Sequence, residues 1–151
     1  MIKYLSHCSD TLKVNFSKSN AKKELLEHLA DELACRHICV EELNLSKLKA
    51  VDDELLDSLS GRFFKQQANG TSSSLNSIIL DDNNITEIGL YYIIDAAKSN
   101  TLLRKISMRN CGINFTADNP FKWSLLMDSL RKNCGITEID LSGNSEIPEE
   151  L

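Results

Sequence analysis

The sequence is poor in the residues that punctuate a chain: two prolines and six glycines in 151 residues, with aromatics at only 6%. It spells no GxxxxGKS/T phosphate loop, no GxGxxG and no GxSxG, so the common nucleotide-binding and nucleophile-elbow signatures are missing. Basic residues are also scarce. Lys and Arg number 17 against 22 Asp and Glu, and the net charge of −5 argues against a backbone-driven nucleic-acid binder, which needs a basic face. The longest apolar stretch, near Leu90 to Ile94, is far too short to span a bilayer, and the opening MIKYLSHCSD lacks the apolar core of a secretory signal. No membrane partner is expected. The five cysteines, Cys8, Cys35, Cys39, Cys111 and Cys134, leave one over if paired, which suits a reducing cytosol better than a disulfide framework.

What the chain does contain is a repeat of the form Leu-x-x-Leu-x-Leu-x-x-Asn. The cleanest copy is Leu75, Ile78, Leu80, Asn83 and Ile85, and the next, Leu103, Ile106, Met108, Cys111 and Ile113, follows by 28 positions. Further copies are Ile136, Ile139, Leu141 and Asn144, then Val40, Leu43, Leu45 and Leu48, and a degenerate first copy with Val14 and Phe16 at the inward positions. Between them lie segments with helical apolar spacing: Leu25, Leu26, Leu29 and Leu33; Leu55, Leu56 and Leu59; Leu90, Ile93, Ile94 and Ala97; Leu126, Met127 and Leu130. Each copy thus predicts a strand followed by a helix that cannot bury its apolar face alone. The expected fold is α/β, a leucine-rich repeat solenoid of four to five coils with a parallel sheet on the concave side and helices on the convex side. One domain over 1–151 is expected, with 1–20 as an N-terminal cap or degenerate first coil and 145–151 as a short C-terminal cap. The Asn position has a mechanical reason: Asn83 and Asn144 can bond backbone groups of neighbouring coils that would otherwise be buried unpaired, and the Cys111 thiol can fill the same slot.

Because side chains alternate across a strand, the residues between the inward apolar ones line the concave face. From first coil to fifth, one row reads Lys13, Glu42, Ser77, Lys105, Glu138; the next Asn15, Asn44, Ile79, Ser107, Asp140; the third Ser17, Ser46, Asp81, Arg109, Ser142. On this polar face Ile79 is the one exposed aliphatic. Flanked by Asp81, Asp82 and Arg109, it forms an anchor with a charged rim, and that is where a protein partner is expected. The ordinary alternative is a hydrated sheet on which Lys105 pairs with Glu138 and Asp81 with Arg109 for about a few tenths of a kcal/mol. A rival location is the loop NFTADNPFKW, with Phe115 on the rim. The GRFFKQQANGTSSS stretch reads as a polar, mobile insertion.

Units of about 28 residues with full helices, and the segments LRKISMRNCGI and LRKNCGITEIDLSGN, resemble ribonuclease-inhibitor-like leucine-rich repeats over about residues 10 to 147. That family includes enzyme inhibitors, activators of small GTPases, actin-capping proteins, innate sensors and secreted bacterial effectors. The resemblance implies a non-enzymatic binding module, most concretely a stoichiometric inhibitor or regulator of an effector or host enzyme whose active site it covers. It would act as a monomer in the cytoplasm, or in a host cytosol if the chain is a bacterial effector. The alternatives are a scaffold or a small-GTPase activator, the latter using Asn110 and Arg109 against the nucleotide.

Three constellations invite chemistry. Cys35, His37 and Cys39, with Cys134, lack the tight spacing of paired zinc ligands. His7, Cys8 and Asp10 sit on an extended segment whose adjacent side chains point apart. Asp81-Asp82 has no second acidic cluster to complete a metal or acid–base site. A metal- or thiol-dependent enzyme is thus the remote alternative, and no catalytic residue, metal or cofactor is expected.

Overall fold

In the computed structural model, residues 12–35, 40–63, 74–100, 102–114 and 120–145 are described. Strands and helices alternate: β1 (Leu12–Asn15), α1 (Lys23–Cys35), β2 (Val40–Asn44), α2 (Asp53–Phe63), β3 (Ser77–Ile79), α3 (Glu87–Ala96) with a 3₁₀ turn at Ala97–Ser99, β4 (Lys105–Ser107), α4 (Pro120–Lys132) and β5 (Glu138–Asp140). All five strands are parallel and lie in chain order, each beside the next. Among the described residues one α-helix lies between each strand and the next, and the helices pack in sequence against one another, as parallel neighbours require of their crossovers.

The apolar pattern places the core between sheet and helices. Leu43, Ile78 and Ile106 stand opposite one another in register and are buried to 1% exposure or less, as are Leu45, Leu80 and Met108 two residues on. Leu26, Ala30, Leu55, Leu56, Leu59, Leu90, Ile93, Ile94 and Leu126 close over them from the helices. Each such aliphatic contributes about 1.5–3 kcal/mol on leaving water. Leu25, on the same run as Leu26, is 53% exposed, because the helix turns it away from the core.

Helix starts are fixed by side-chain acceptors. Asp52 accepts from the Leu55 N–H at 2.9 Å at the head of α2, and Thr86 caps α3 by accepting from Ile88 N–H. Asp53, in the first turn of α2, reaches the next unit and accepts from the Thr86 N–H (2.8 Å), the Thr86 hydroxyl (2.6 Å) and the Gly89 N–H (3.1 Å). This carboxylate thereby pins the N-terminus of α3, where negative charge is favoured. Gly89 is required by that closeness: a Cβ there would lie 2.5 Å from Asp53 Oδ1 and 2.6 Å from Ile85 Cγ2.

The slot after each strand works as the pattern implies. Asn83 Oδ1 accepts from the Leu48 N–H at 2.7 Å, and its amide donates to the Leu45 and Leu80 carbonyls at 2.9 and 2.8 Å. Asn144 donates to Met108 and Leu141 carbonyls at 2.7 and 2.8 Å. Cys111 keeps the bond to the previous unit in weaker form, its thiol 3.5 Å from the Leu80 carbonyl, and burial pushes that thiol's pKa up. The expected mobile insertion falls largely on residues 64–73, outside the described residues, as do Phe64 and His37. Residues 1–11 and 146–151, with most of the expected caps, also lie outside them.

Candidate protein-binding face

The open face of the sheet, opposite the helices, carries the three rows in register. Lys13, Glu42, Ser77, Lys105 and Glu138 are successive partners, and so are Asn15, Asn44, Ile79, Ser107 and Asp140. Immediately beyond, Lys18, Lys47, Asp82, Asn110 and Gly143 form a column in which every residue has positive φ, from 50° to 75°. The N–H groups of the first four donate to the carbonyls of Ser46, Asp81, Arg109 and Ser142 one unit on, at 2.8 to 3.1 Å. The left-handed turn is thus the device by which each strand leaves the sheet while keeping one last inter-unit bond. Gly143 belongs there for a second reason: the Asn110 side chain covers it, and a Cβ would stand 1.9 Å from Asn110 Oδ1.

Many polar side chains of the face are already committed. Asn15, Asn44 and Asp140 each turn back to accept from the backbone N–H two residues on, at 2.8, 3.0 and 3.0 Å. Asp82 stands 3.5 Å from Lys47 Nζ and accepts from the Asn110 amide at 3.2 Å. Lys105 pairs with Glu138, whose carboxylate raises the lysine's pKa, and Lys13 lies 3.7 Å from Glu42. The backbone N–H and hydroxyl of Ser142, aided by Arg109 and Lys105, hold the Asp140 carboxyl below its ordinary pKa.

Two details depart from the sequence reading. Asp81 does not pair with Arg109 side chain to side chain: it accepts from the Ser107 hydroxyl (2.6 Å) and the Arg109 backbone N–H (3.0 Å), supplying the turn acceptor to the next unit while the Ser107 hydroxyl is turned toward Asp81 as a donor. The Arg109 guanidinium instead stands 3.8 Å from Asp140, with its side chain 54% exposed. Ser46, Ser77 and Ser107, expected on the accessible face, are buried to 8%, 7% and 5%, because short side chains on a pleated sheet are shaded by longer neighbours. Ile79 is partly exposed, between Asn44 and Ser107. Phe115 lies outside the described residues.

A further feature lies at the first two units and has no motif in the sequence. Lys18, Lys22, Lys23, Lys47 and Lys49 line a groove where the strands turn toward α1. Lys23 opens α1, and Lys22 immediately precedes it. Among the described residues no group of three or more His, Cys, Asp or Glu is placed to hold a metal ion; Cys111 and Cys134 are free thiols, and Cys39 lies outside those residues. No helix among them is long and apolar enough to cross a membrane.

No family model matches the chain. Over 82 residues it is 30% identical to a Cep78 homologue of Drosophila melanogaster, a stretch that is 54% of this chain and 9% of that relative, so the chain spans a small part of the relative's length. Among solved structures, leiomodin-1 actin-binding site 2 superposes with a TM-score of 0.68 at 18% identity, covering 85% of this chain and 69% of its own. The tropomodulin C-terminal domain of Caenorhabditis elegans gives a TM-score of 0.64 at 18% identity, covering 89% and 75%. These likenesses carry the α/β fold with its parallel sheet. They also correct the resemblance drawn above. The neighbours are tropomodulin and leiomodin domains rather than ribonuclease-inhibitor-like leucine-rich repeat proteins, and the enzyme-inhibitor and effector readings lose their support with it. The physical reason is that LRKISMRNCGI records a strand and its turn, and LRKNCGITEIDLSGN a helix end, a turn and a strand, geometry that parallel βα stacks have in common whatever their function.

Proposed function

We propose that the chain is a non-catalytic protein-binding module, a single solenoid domain over 1–151 that acts as a monomer and holds its partner on the concave face of the sheet. The observation that carries this reading is what remains uncommitted on that face. Asn44, Asp81, Asp140 and Ser107 spend their polar atoms inside the sheet, while Ile79 stays partly exposed and Arg109 reaches outward with one long contact to Asp140. An aliphatic beside an open guanidinium, rimmed by Asp82, Asn110, Glu42, Lys105 and Glu138, has the composition of an interface centre. Actin is the first partner to test, since the leiomodin-1 neighbour is described as an actin-binding site.

The experiment is binding of fluorescently labelled actin to wild type and to Ile79→Arg plus Arg109→Glu, with circular dichroism showing both equally folded. Wild type binds and the double variant loses at least about tenfold in affinity, as loss of a central anchor implies. Equal binding by both proteins places the contact elsewhere. Absence of binding by wild type removes actin, and affinity capture with the same pair then tests the face against other proteins.

A further inference from the structure

On a chain of net charge −5, the groove between the first two units is strongly basic: Lys18, Lys22, Lys23, Lys47 and Lys49 surround about 640 Å³, with Glu24 the acidic residue of its lining. Two of these cations are engaged. Lys23 Nζ lies 2.6 Å from Glu54 and 3.3 Å from Asp52, and Lys47 lies 3.5 Å from Asp82. Lys18, Lys22 and Lys49 are exposed and form no ion pair among the described residues. Three of the five cations thus stand without a carboxylate partner, with Glu24 the one acid of the lining, so the groove keeps an excess of positive charge that an outside anion can meet.

The groove is also well anchored. Lys18 and Lys47 occupy the left-handed column, and their N–H groups are tied to the Ser46 and Asp81 carbonyls at 3.1 and 2.9 Å. Their Cα atoms are fixed by the sheet about one strand spacing apart, roughly 4.8 Å, which limits the backbone ordering that binding requires.

We propose that this groove docks a short acidic segment of a protein partner, whose carboxylates are taken by Lys18, Lys22 and Lys49. A peptide is favoured over nucleic acid by what surrounds the site: Asp52, Glu54 and Asp82 border it through the pairs already named, and Asp81 follows on the next unit. A polyanion running past two units meets that acidic border, whereas a segment of a few residues does not. The inference does not depend on the concave-face reading.

The test is fluorescence anisotropy with a labelled Glu-rich pentapeptide, alongside a labelled oligothymidylate and phosphatidylserine-containing vesicles. The wild type binds the peptide, and Lys18→Glu, Lys22→Glu and Lys49→Glu together weaken it by about tenfold or more, as three exposed ion pairs imply. The corresponding Gln triple variant, which spares the fold any charge reversal, gives a smaller loss in the same direction. Arg131→Glu with Lys132→Glu, on exposed α4 positions, leaves binding unchanged, and so does Ile79→Arg. The proposal is overturned if wild type does not bind the peptide, if the folded triple variants bind it equally, if the α4 or Ile79 changes weaken it as much, or if oligonucleotide or vesicles bind more tightly. Because Ile79→Arg is read separately, failure of the groove leaves the concave-face reading standing, and the reverse.

Discussion

Val14 and Leu43 hold the same inward position on adjacent strands, yet Leu43 is fully buried and Val14 only partly so; Ile106 and Ile139 repeat the contrast at the other end of the sheet. The pattern that points a side chain inward is the same in all four. What differs is the number of neighbours. Among the described residues a middle strand has a unit on each side to cover its apolar row, and β1 and β5 have one, so burial follows position in the sheet rather than the residue's own hydrophobicity. The middle of this molecule is therefore where sequence identity is most tightly constrained.

Paired truncations offer the sharpest way to break that contrast. Ile78→Ala removes a side chain that is 1% exposed between two strands and is expected to cost about 3–4 kcal/mol. Ile139→Ala, on β5, is expected to cost about 1 kcal/mol, since less area leaves water on folding and the site can relax outward. Urea denaturation of both checks this, and equal losses would mean that β5 is covered as well as β3 is.

The shared slot after each strand gives the next contrast. Asn83→Ala orphans the Leu48 N–H and removes the donor to two carbonyls in the interior, for an expected loss of about 2–3 kcal/mol. Asn144→Ala strips similar bonds at the partly exposed end unit and should cost about half as much, and Cys111→Ala, which loses a weak thiol donor, less than about 1 kcal/mol. A ranking with Cys111 at the top would show that the slot is about packing rather than backbone pairing.

The strand register and the role of Asn83 were legible in the sequence because both rest on periodicity and on one side chain's chemistry. The left-handed column was not. Asn110, Asp82 and Gly143 tolerate positive φ, but Lys18 and Lys47 give no such signal, and their conformation comes from the inter-unit bond of their own N–H. The basic groove was invisible for a related reason: Lys18 and Lys47 stand 29 positions apart, and only parallel stacking brings them beside Lys22 and Lys49. Asp81 was read as a partner for Arg109 because pairing across strands follows from register alone. Its actual role follows from the Ser107 hydroxyl donating to Asp81, which accepts from the Arg109 N–H much as Asp140 accepts from the Ser142 N–H on the next strand.

The smallest effect expected concerns that same row at the end of the sheet. Asn15, Asn44 and Asp140 all accept from the backbone two residues on, but only Asp140 titrates, and the Ser142 N–H and hydroxyl hold its folded pKa below the ordinary carboxylate value. A depressed pKa stabilises the folded state fully above the unfolded value, and that contribution is lost as pH falls through the folded value. Between neutral pH and about pH 3, Asp140→Asn should therefore show a shallower fall in Tm than the wild type. Its neutral-pH Tm should stay close, because Asn44 shows that an amide oxygen can make the same turn. Asp140→Ala should lower Tm at every pH, having lost the acceptor itself. If the Asn and Ala variants have parallel acid limbs and equal Tm at neutral pH, the side chain contributes no turn bond, and the end strand is held by its backbone ladder and apolar contacts without it.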